Sequence, residues 1–417
     1  MQIIMSLVGM ATILALAVLL SDNRKAINLR TVGGAFALQA VMGAFVLYIP
    51  VGQVMLEAMT NGVNAVLSFA SDGIGFVFGD LANFKLGFIF AVNVLPVIVF
   101  FASLVAVLYY LGIMQFVIKI LGGGLQKLLG TSRTESLSAA ANIFVGQTEA
   151  PLLVKPYISR MTNSELFAIM VGGVASIAGT VMAGIASMGV DLQFLIAASF
   201  MAAPGGLLMA KIIKPETETP KEFDKASEEA AEEDKPANIF DAAATGAASG
   251  MKLAALIGAM LIAFISLIAM GNGILGWFGG LAGFPELTIE LILGYIFSPL
   301  AFLIGVPWAE ALDAGSFLGQ KIVLNEFVAF SNFATFVDPA LAAEAGVRVF
   351  SEHTQAIMTF ALCGFANLSS IAILLGGLGA IAPNRRQDIA RFGLKAVTAG
   401  TLSNLMSATI AGLFLAL

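Results

Sequence analysis

Apolar segments at about residues 3–20, 32–52, 89–112, 164–188, 192–213, 250–270, 353–382 and 396–417 dominate this chain and decide what it can fold into. Each is long enough to cross about 30 Å of hydrocarbon, which takes roughly 20 helical residues. The composition agrees: 59% of the 417 residues are hydrophobic and 12% are charged, against about 25% charged in soluble domains. So few charges cannot cover the apolar residues with a solvated shell. The surface must face lipid, which excludes a soluble cytoplasmic enzyme. The net charge of −6 argues against nucleic acid as a partner. One cysteine, Cys363, excludes an internal disulfide and any Cys-based metal cluster. One histidine, His353, excludes a His-rich zinc site and leaves little acid–base chemistry.

Charge placement sets the topology. Basic residues follow the first segment (Asn23-Arg24-Lys25, then Arg30), so it reads as a span with its N-terminus outside and not as a cleavable signal peptide. Alternation from there puts 21–31, 113–163, 211–252 and 384–395 on one side. These stretches hold every Lys and Arg except Lys85, Lys321 and Arg348. The positive-inside rule makes that side cytoplasmic and puts both termini outside. Residues 214–236, rich in Asp and Glu, read as a solvated linker, and the weakly apolar 54–86 as an interfacial helix and loop on the outer surface.

The segment 136–154 is long enough to span, but its centre, Gly146-Gln147-Thr148-Glu149-Ala150-Pro151, breaks helices. Bases flank both ends: Lys127 and Arg133 before it, Lys155 and Arg160 after it. Both ends belong inside, so the segment reads as a re-entrant hairpin. Arms of about 10–12 residues, rising about 1.5 Å per residue, bring its polar tip near the midplane. Self-similarity supplies a second hairpin. Gly130, Glu135 and Leu137 recur as Gly305, Glu310 and Leu312, and the first tip is answered around Glu326. Further on, 172–184 aligns with 363–377, pairing Ser176 with Asn367. Two copies of hairpin, span, span, separated by the odd span 250–270, make an inverted-topology repeat, the architecture of many secondary transporters. The expected fold is an all-α polytopic membrane protein: eight transmembrane helices plus two re-entrant hairpins, with interfacial helices.

A carboxylate at membrane depth costs at least about 2.5–3.5 kcal/mol, which marks Glu149 and Glu326, one at each tip, as functional. Neither tip has a base assigned near it other than Lys321, whereas sites for carboxylate or phosphate present Arg or Lys. The substrate is therefore neutral or cationic. Gln147 and Thr148 suit the edge of a base, and Glu326, Asn367 and Ser370 suit a polyol. Asn142, Ser176 and carbonyls freed at the first tip and in the Gly/Ser-rich span are hard oxygen ligands suited to Na+, although such residues also serve as hydrogen-bonding groups between helices. The glycine-rich stretches 121–124 and 279–283 read as packing surfaces, and no catalytic constellation is visible. An aquaporin-like solute channel is the alternative with the same repeat architecture. Two tip carboxylates and the missing Asn-Pro-Ala signature count against it.

Asn142-Ile-Phe-Val-Gly-Gln-Thr-Glu-Ala-Pro151, Asn325-Glu-Phe-Val328 and Cys363-Gly-Phe-Ala-Asn-Leu-Ser-Ser370 resemble the concentrative nucleoside transporter family, and the resemblance covers essentially the whole chain. It looks closest to bacterial sodium-coupled members that import uridine-like nucleosides across the cytoplasmic (inner) membrane. The resemblance implies that Gln147, Thr148 and Glu149 contact the nucleobase with Val181 nearby, and Leu253 is added to that pocket. It implies ribose binding by Glu326, Asn367 and Ser370, with Phe365 lining the site. By the same resemblance Na+ is held by the side chains of Asn142 and Ser176 and the carbonyls of Val145 and Ile177, with no organic cofactor. The implied assembly is a homotrimer. Its scaffold comprises 1–113 and 250–284, its transport domain 114–213 and 285–417, and the acidic linker 214–249. Proton-coupled relatives exist, so a proton-coupled symporter stands as a second alternative.

Overall fold

The apolar runs become helices, and capping side chains set several of their ends. The computed structural model describes residues 2–83, 88–220 and 236–417, with no strand among them; Lys85 lies outside the described residues. Helix α1 (Gln2–Leu19) leads to α2 (Leu29–Leu47), whose N-cap Asn28 accepts hydrogen bonds from the amides of Arg30 and Thr31. Helix α3 (Pro50–Phe78) starts on a proline, tolerated there because its missing N–H has no helical partner in the first turn. The next run divides into α4 (Phe90–Asn93) and α5 (Leu95–Tyr110), just ahead of Pro96.

The first repeat is α6 (Ile113–Leu129), α7 (Arg133–Ala141), the tip 142–149, a 3-10 stretch Ala150–Val154, α8 (Lys155–Ile158), α9 (Asn163–Ala175), α10 (Gly179–Ala186) and α11 (Leu192–Ile213). The returning arm of this hairpin is not the regular helix expected. Pro151 and Pro156 each remove a backbone donor, leaving a 3-10 turn and one short helix. Helix α12 (Ile239–Leu281) follows, and the second repeat is α13 (Ile289–Leu303), α14 (Ala311–Val323), α15 (Glu326–Ala334), α16 (Pro339–Ala345), α17 (Glu352–Leu362), α18 (Ser369–Ile381) and α19 (Arg386–Leu415).

Matching features run through both repeats. Helix α6 packs on α7 as α13 packs on α14. Gly130 and Gly305, paired by sequence, both follow the first helix of their repeat with positive φ, 66° and 109°, where a side chain is disfavoured. The paired acids also act alike. Glu135 completes a capping box with Ser132 and pairs with Lys211. Glu310 accepts from the amide (3.1 Å) and hydroxyl (2.9 Å) of Ser351, the N-cap of α17.

Nearly all of α9 and α11 is buried, and so is most of α19 beyond Ile389, whereas α1, α2, α3 and α12 bury only narrow stripes. Helices α9, α11 and α19 of the repeats therefore form the core, while α6, α13 and α18 join the other long helices in burying only stripes. Helix α12 fits against α5 through small residues: a Cβ on Gly250 would stand 2.7 Å from the Ala102 Cβ and 2.8 Å from the Val99 Cα.

Among the described residues eight helices are long and apolar enough to cross a membrane, and seven of them fall on expected segments. The run 353–382 is two shorter helices, α17 and α18, parted at 363–368. The run 164–188 keeps its place among the eight as Asn163–Ala186, although α9 and α10 are parted within it at 176–178. Pro50–Ala82 joins the long apolar set in place of 353–382. Of the linker expected over 214–249, residues 221–235 lie outside the described residues, and the chain is helical again from Ile239. Asn238 caps α12 there by accepting from the amides of Phe240 and Asp241, and alanine-rich first turns propagate it.

Candidate functional site

The two broken helices cross at their breaks. The Phe365 amide of the second break donates to the Ser176 carbonyl of the first, 3.1 Å. Gly364 makes this approach possible: a Cβ there would lie 2.5 Å from Asn404 Oδ1 and 2.7 Å from the Ala175 carbonyl oxygen. Each hairpin is tied to the break of its own repeat through backbone. The Gly179 amide donates to the Phe144 carbonyl (2.9 Å), and the Leu368 amide to the Ile322 carbonyl (3.0 Å). Both tips are thereby held against the crossing.

Side chains join the tips. Glu326 opens α15, where the helix N-terminus favours a negative charge. The buried carboxylate accepts from Asn367 Nδ2 at 2.9 Å. Asn367 Oδ1 accepts from the Ser369 hydroxyl (2.6 Å) and the Ser370 amide (2.9 Å), which closes the start of α18. Gln147 Nε2 of the first tip reaches the Ser370 hydroxyl at 3.4 Å, a long bond. Gln147, Ser370, Asn367 and Glu326 thus form one polar chain from hairpin to hairpin, and Gln147 Oε1 is buried with no hydrogen-bond partner.

The other expected residues are placed around this chain. The Phe365 ring lies 4.0 Å from where a Cβ on Gly146 would stand, beside the first tip. Half-buried Thr148 packs against Gly377 of α18. Glu149 is exposed and turned onto its own tip, accepting from the Gly146 amide at 2.9 Å. Val181 is buried on α10, and Leu253 is half-buried on α12, outside the hydrogen-bonded cluster. Asn142 and Ser176 meet at Gly172. Ser176 Oγ donates to the Gly172 carbonyl at 2.9 Å, and Asn142 Nδ2 stands 3.1 Å from the Cβ position of Gly172. Asn142 is 1% exposed, yet neither Oδ1 nor Nδ2 has a partner. Buried amides are normally hydrogen-bonded, so the Asn142 oxygen is left available to a partner of matching chemistry. Val145 and Ile177 are buried beside it in the same tip and break.

Two sequence expectations change. Ser176 corresponds to Cys363 and not to Asn367: Ser176 and Cys363 are the extended C-caps of α9 and α17, and the second break is longer. Lys321, in the sequence the one base assigned near either tip, is wholly buried, and its ammonium donates to the Ala361 carbonyl and to Asn404 Oδ1, both at 2.7 Å. Asn404, which sequence reasoning missed, also donates to the Ala175 (2.6 Å) and Cys363 (2.9 Å) carbonyls. A lone lysine in a weakly polar hairpin was the available signal for the first. A mid-helix asparagine gives none for the second.

Residues 8–81 match a family model for the N-terminus of Na+ dependent nucleoside transporters, 91–192 a nucleoside recognition gate, and 194–412 the C-terminus of the same transporters. The chain is 60% identical over 420 residues to an uncharacterized transporter of Haemophilus influenzae, spanning 100% of this chain and 99% of that one. It is 51% identical over 420 residues to the nucleoside permease NupC of Helicobacter pylori, spanning 99% and 98%. The solved structure of CNTnw in an inward-facing substrate-bound state is similar with a TM-score of 0.94 at 57% identity, covering 99% of this chain and 98% of the other.

Proposed function

The chain belongs to the Na+-dependent nucleoside transporter family, and from that premise we propose that it imports uridine-like nucleosides by Na+ symport. The observation that carries this reading is the polar chain Gln147–Ser370–Asn367–Glu326 running between the hairpins. Its amides and hydroxyl suit a nucleobase edge on the hairpin 1 side, with Thr148, Glu149, Val181, Leu253 and Phe365 completing that pocket. Its carboxylate and amide suit ribose hydroxyls on the hairpin 2 side. Na+ is cargo held by Asn142, Ser176 and the carbonyls of Val145 and Ile177, and the unpartnered Asn142 amide fits such a hard oxygen site.

In this reading both hairpins are re-entrant, and the two repeats move as a transport domain against a scaffold of α1, α2, α5 and α12, with α3 along the outer surface. Three copies assemble through apolar outer faces in a bacterial inner membrane, with both termini periplasmic. Nucleoside and Na+ stabilise one another's bound state, a coupling that must be reciprocal. One charge moving through 100 mV releases about 2.3 kcal/mol, enough for roughly 45-fold accumulation before the Na+ gradient contributes.

The test is radiolabelled uridine uptake into proteoliposomes, with and without an inward Na+ gradient. Accumulation should require Na+, and Glu326→Gln should reduce uptake at least about tenfold, since hydrogen bonds to charged groups contribute about 1.5–3 kcal/mol each. Equilibration without accumulation would support a channel, and accumulation on a proton gradient alone a proton symporter. Failure to take up any nucleoside would remove the substrate assignment.

A further inference from the structure

The transport reading leaves Lys321 unused, although it is 1% exposed and has no carboxylate within ion-pair distance among the described residues. It extends from the last turn of α14 to the last turn of α17, where its ammonium meets the Ala361 carbonyl. A helix C-terminus carries unpaired carbonyls and partial negative charge. A cation belongs there, and hairpin 2 supplies one covalently.

Hairpin 1 has the same framework without the charge. The backbone ties equate Ile322 with Phe144, since each accepts from the break of its own repeat. Lys321 precedes Ile322, and Asn142 and Val145 bracket Phe144. Asn142 lies against the last turn of α9 as Lys321 lies against the last turn of α17. What Asn142 offers is an amide with both polar atoms open. Asn404 links the halves, accepting from Lys321 while donating to the last residue of α9 and to the C-cap of α17.

We propose that Lys321 is a tethered cation, the second repeat's permanent counterpart of the ion that the first repeat binds and releases. Its charge holds the crossing of the broken helices, and with it Asn367 and Glu326, assembled in every state of the cycle. Lys321 is a positioning residue acting through Asn404 and the α17 C-terminus. The comparison with hairpin 1 rests on the Na+ reading above; the ammonium held by two oxygens does not.

The test is uridine binding to the purified full-length protein across a Na+ series, for wild type and for Lys321→Ala, Lys321→Met and Lys321→Arg. Lys321→Ala should lose about tenfold in affinity, consistent with the larger effects of a cation at a helix C-terminus. Ethylammonium should restore part of that loss and choline none, because only a small ammonium fits the vacated space and donates to both oxygens. Lys321→Met should lose affinity without rescue, its side chain filling the space. Wild-type affinity in Lys321→Met overturns the proposal, as does absence of rescue in a Lys321→Ala protein that stays monodisperse. If Lys321→Ala does not stay monodisperse, Lys321→Met decides in membranes: affinity lost there but kept by Lys321→Arg supports the proposal. Wild-type binding indifferent to Na+ would remove the ion reading and leave the ammonium test standing.

Discussion

Replacing Asn404 with alanine removes three hydrogen bonds at the point where the broken helices cross. Asn404 is 2% exposed, and Gly364 is pressed so close that no side chain there could fill the gap. The Ala175 and Cys363 carbonyls lose their side-chain donor, and Lys321 keeps only the Ala361 carbonyl. A buried polar group left unsatisfied costs about 1–3 kcal/mol, and a hydrogen bond to a charged group about 1.5–3. Taking the low end for all three gives a loss of about 3.5 kcal/mol. Sensitivity falls with chain length and is about 2–4 °C per kcal/mol at 150–250 residues, so about 2 °C or less applies here and the apparent melting midpoint should fall by about 5–7 °C. The assay is size-exclusion thermostability of the purified protein at a fixed heating time, run beside Asn404→Asp. The aspartate still accepts from Lys321 but turns an acceptor toward two carbonyls, so it should also fall below wild type. A midpoint within about 1 °C of wild type for Asn404→Ala would mean that the crossing does not depend on these bonds.

Two further outcomes follow from the fold. Burial alone would raise the Asp22 carboxyl, but hydrogen bonds and attraction from Lys395 and Lys214 hold it below its ordinary value. Such a group stabilises the folded chain above its unfolded pKa of about 3.9 and loses that contribution as pH falls through the lower folded value. The stability gap between wild type and Asp22→Asn should therefore be present at neutral pH and close below about pH 4, and it should be small because the pair is partly solvated. Gly250→Leu should separate α12 from α5, since even a methyl group there would overlap Ala102 and Val99. Overpacking of this kind costs about 1–3 kcal/mol or more, and limited proteolysis of membranes should show faster cleavage within the 214–238 connection. An unchanged cleavage rate would refute that close packing.

Much of the architecture was legible because it rests on local quantities. Helix length, charge flanks and proline placement identified the hairpin at 136–154 and the odd helix near 250–270, and internal self-similarity identified the correspondence of Glu135 with Glu310, whose capping roles the structure shows to be alike. Boundaries were read less well. Residues 239–249 looked like linker because glycine and polar residues dilute the apolar signal, yet a capped, alanine-rich start is helical. The break inside 164–188 was signalled only by its Gly and Ser residues, and the one inside 353–382 was hidden in apolar sequence, where hydropathy is indifferent to whether the backbone is continuous.

What the sequence determined by itself was an all-helical membrane chain with two polar tips and residues of the right chemistry at them. Only the tertiary structure decided which of those residues meet. Gln147 and Ser370 are 223 residues apart, Asn404 and Ala175 are 229 apart, and Lys321 and Asn404 are 83 apart. Periodicity and charge report on neighbours within a few turns, whereas these contacts depend on how separate helices cross. That crossing brought Gln147, Ser370, Asn367 and Glu326 into one chain, left Glu149 outside it, and buried Lys321 against the end of a helix.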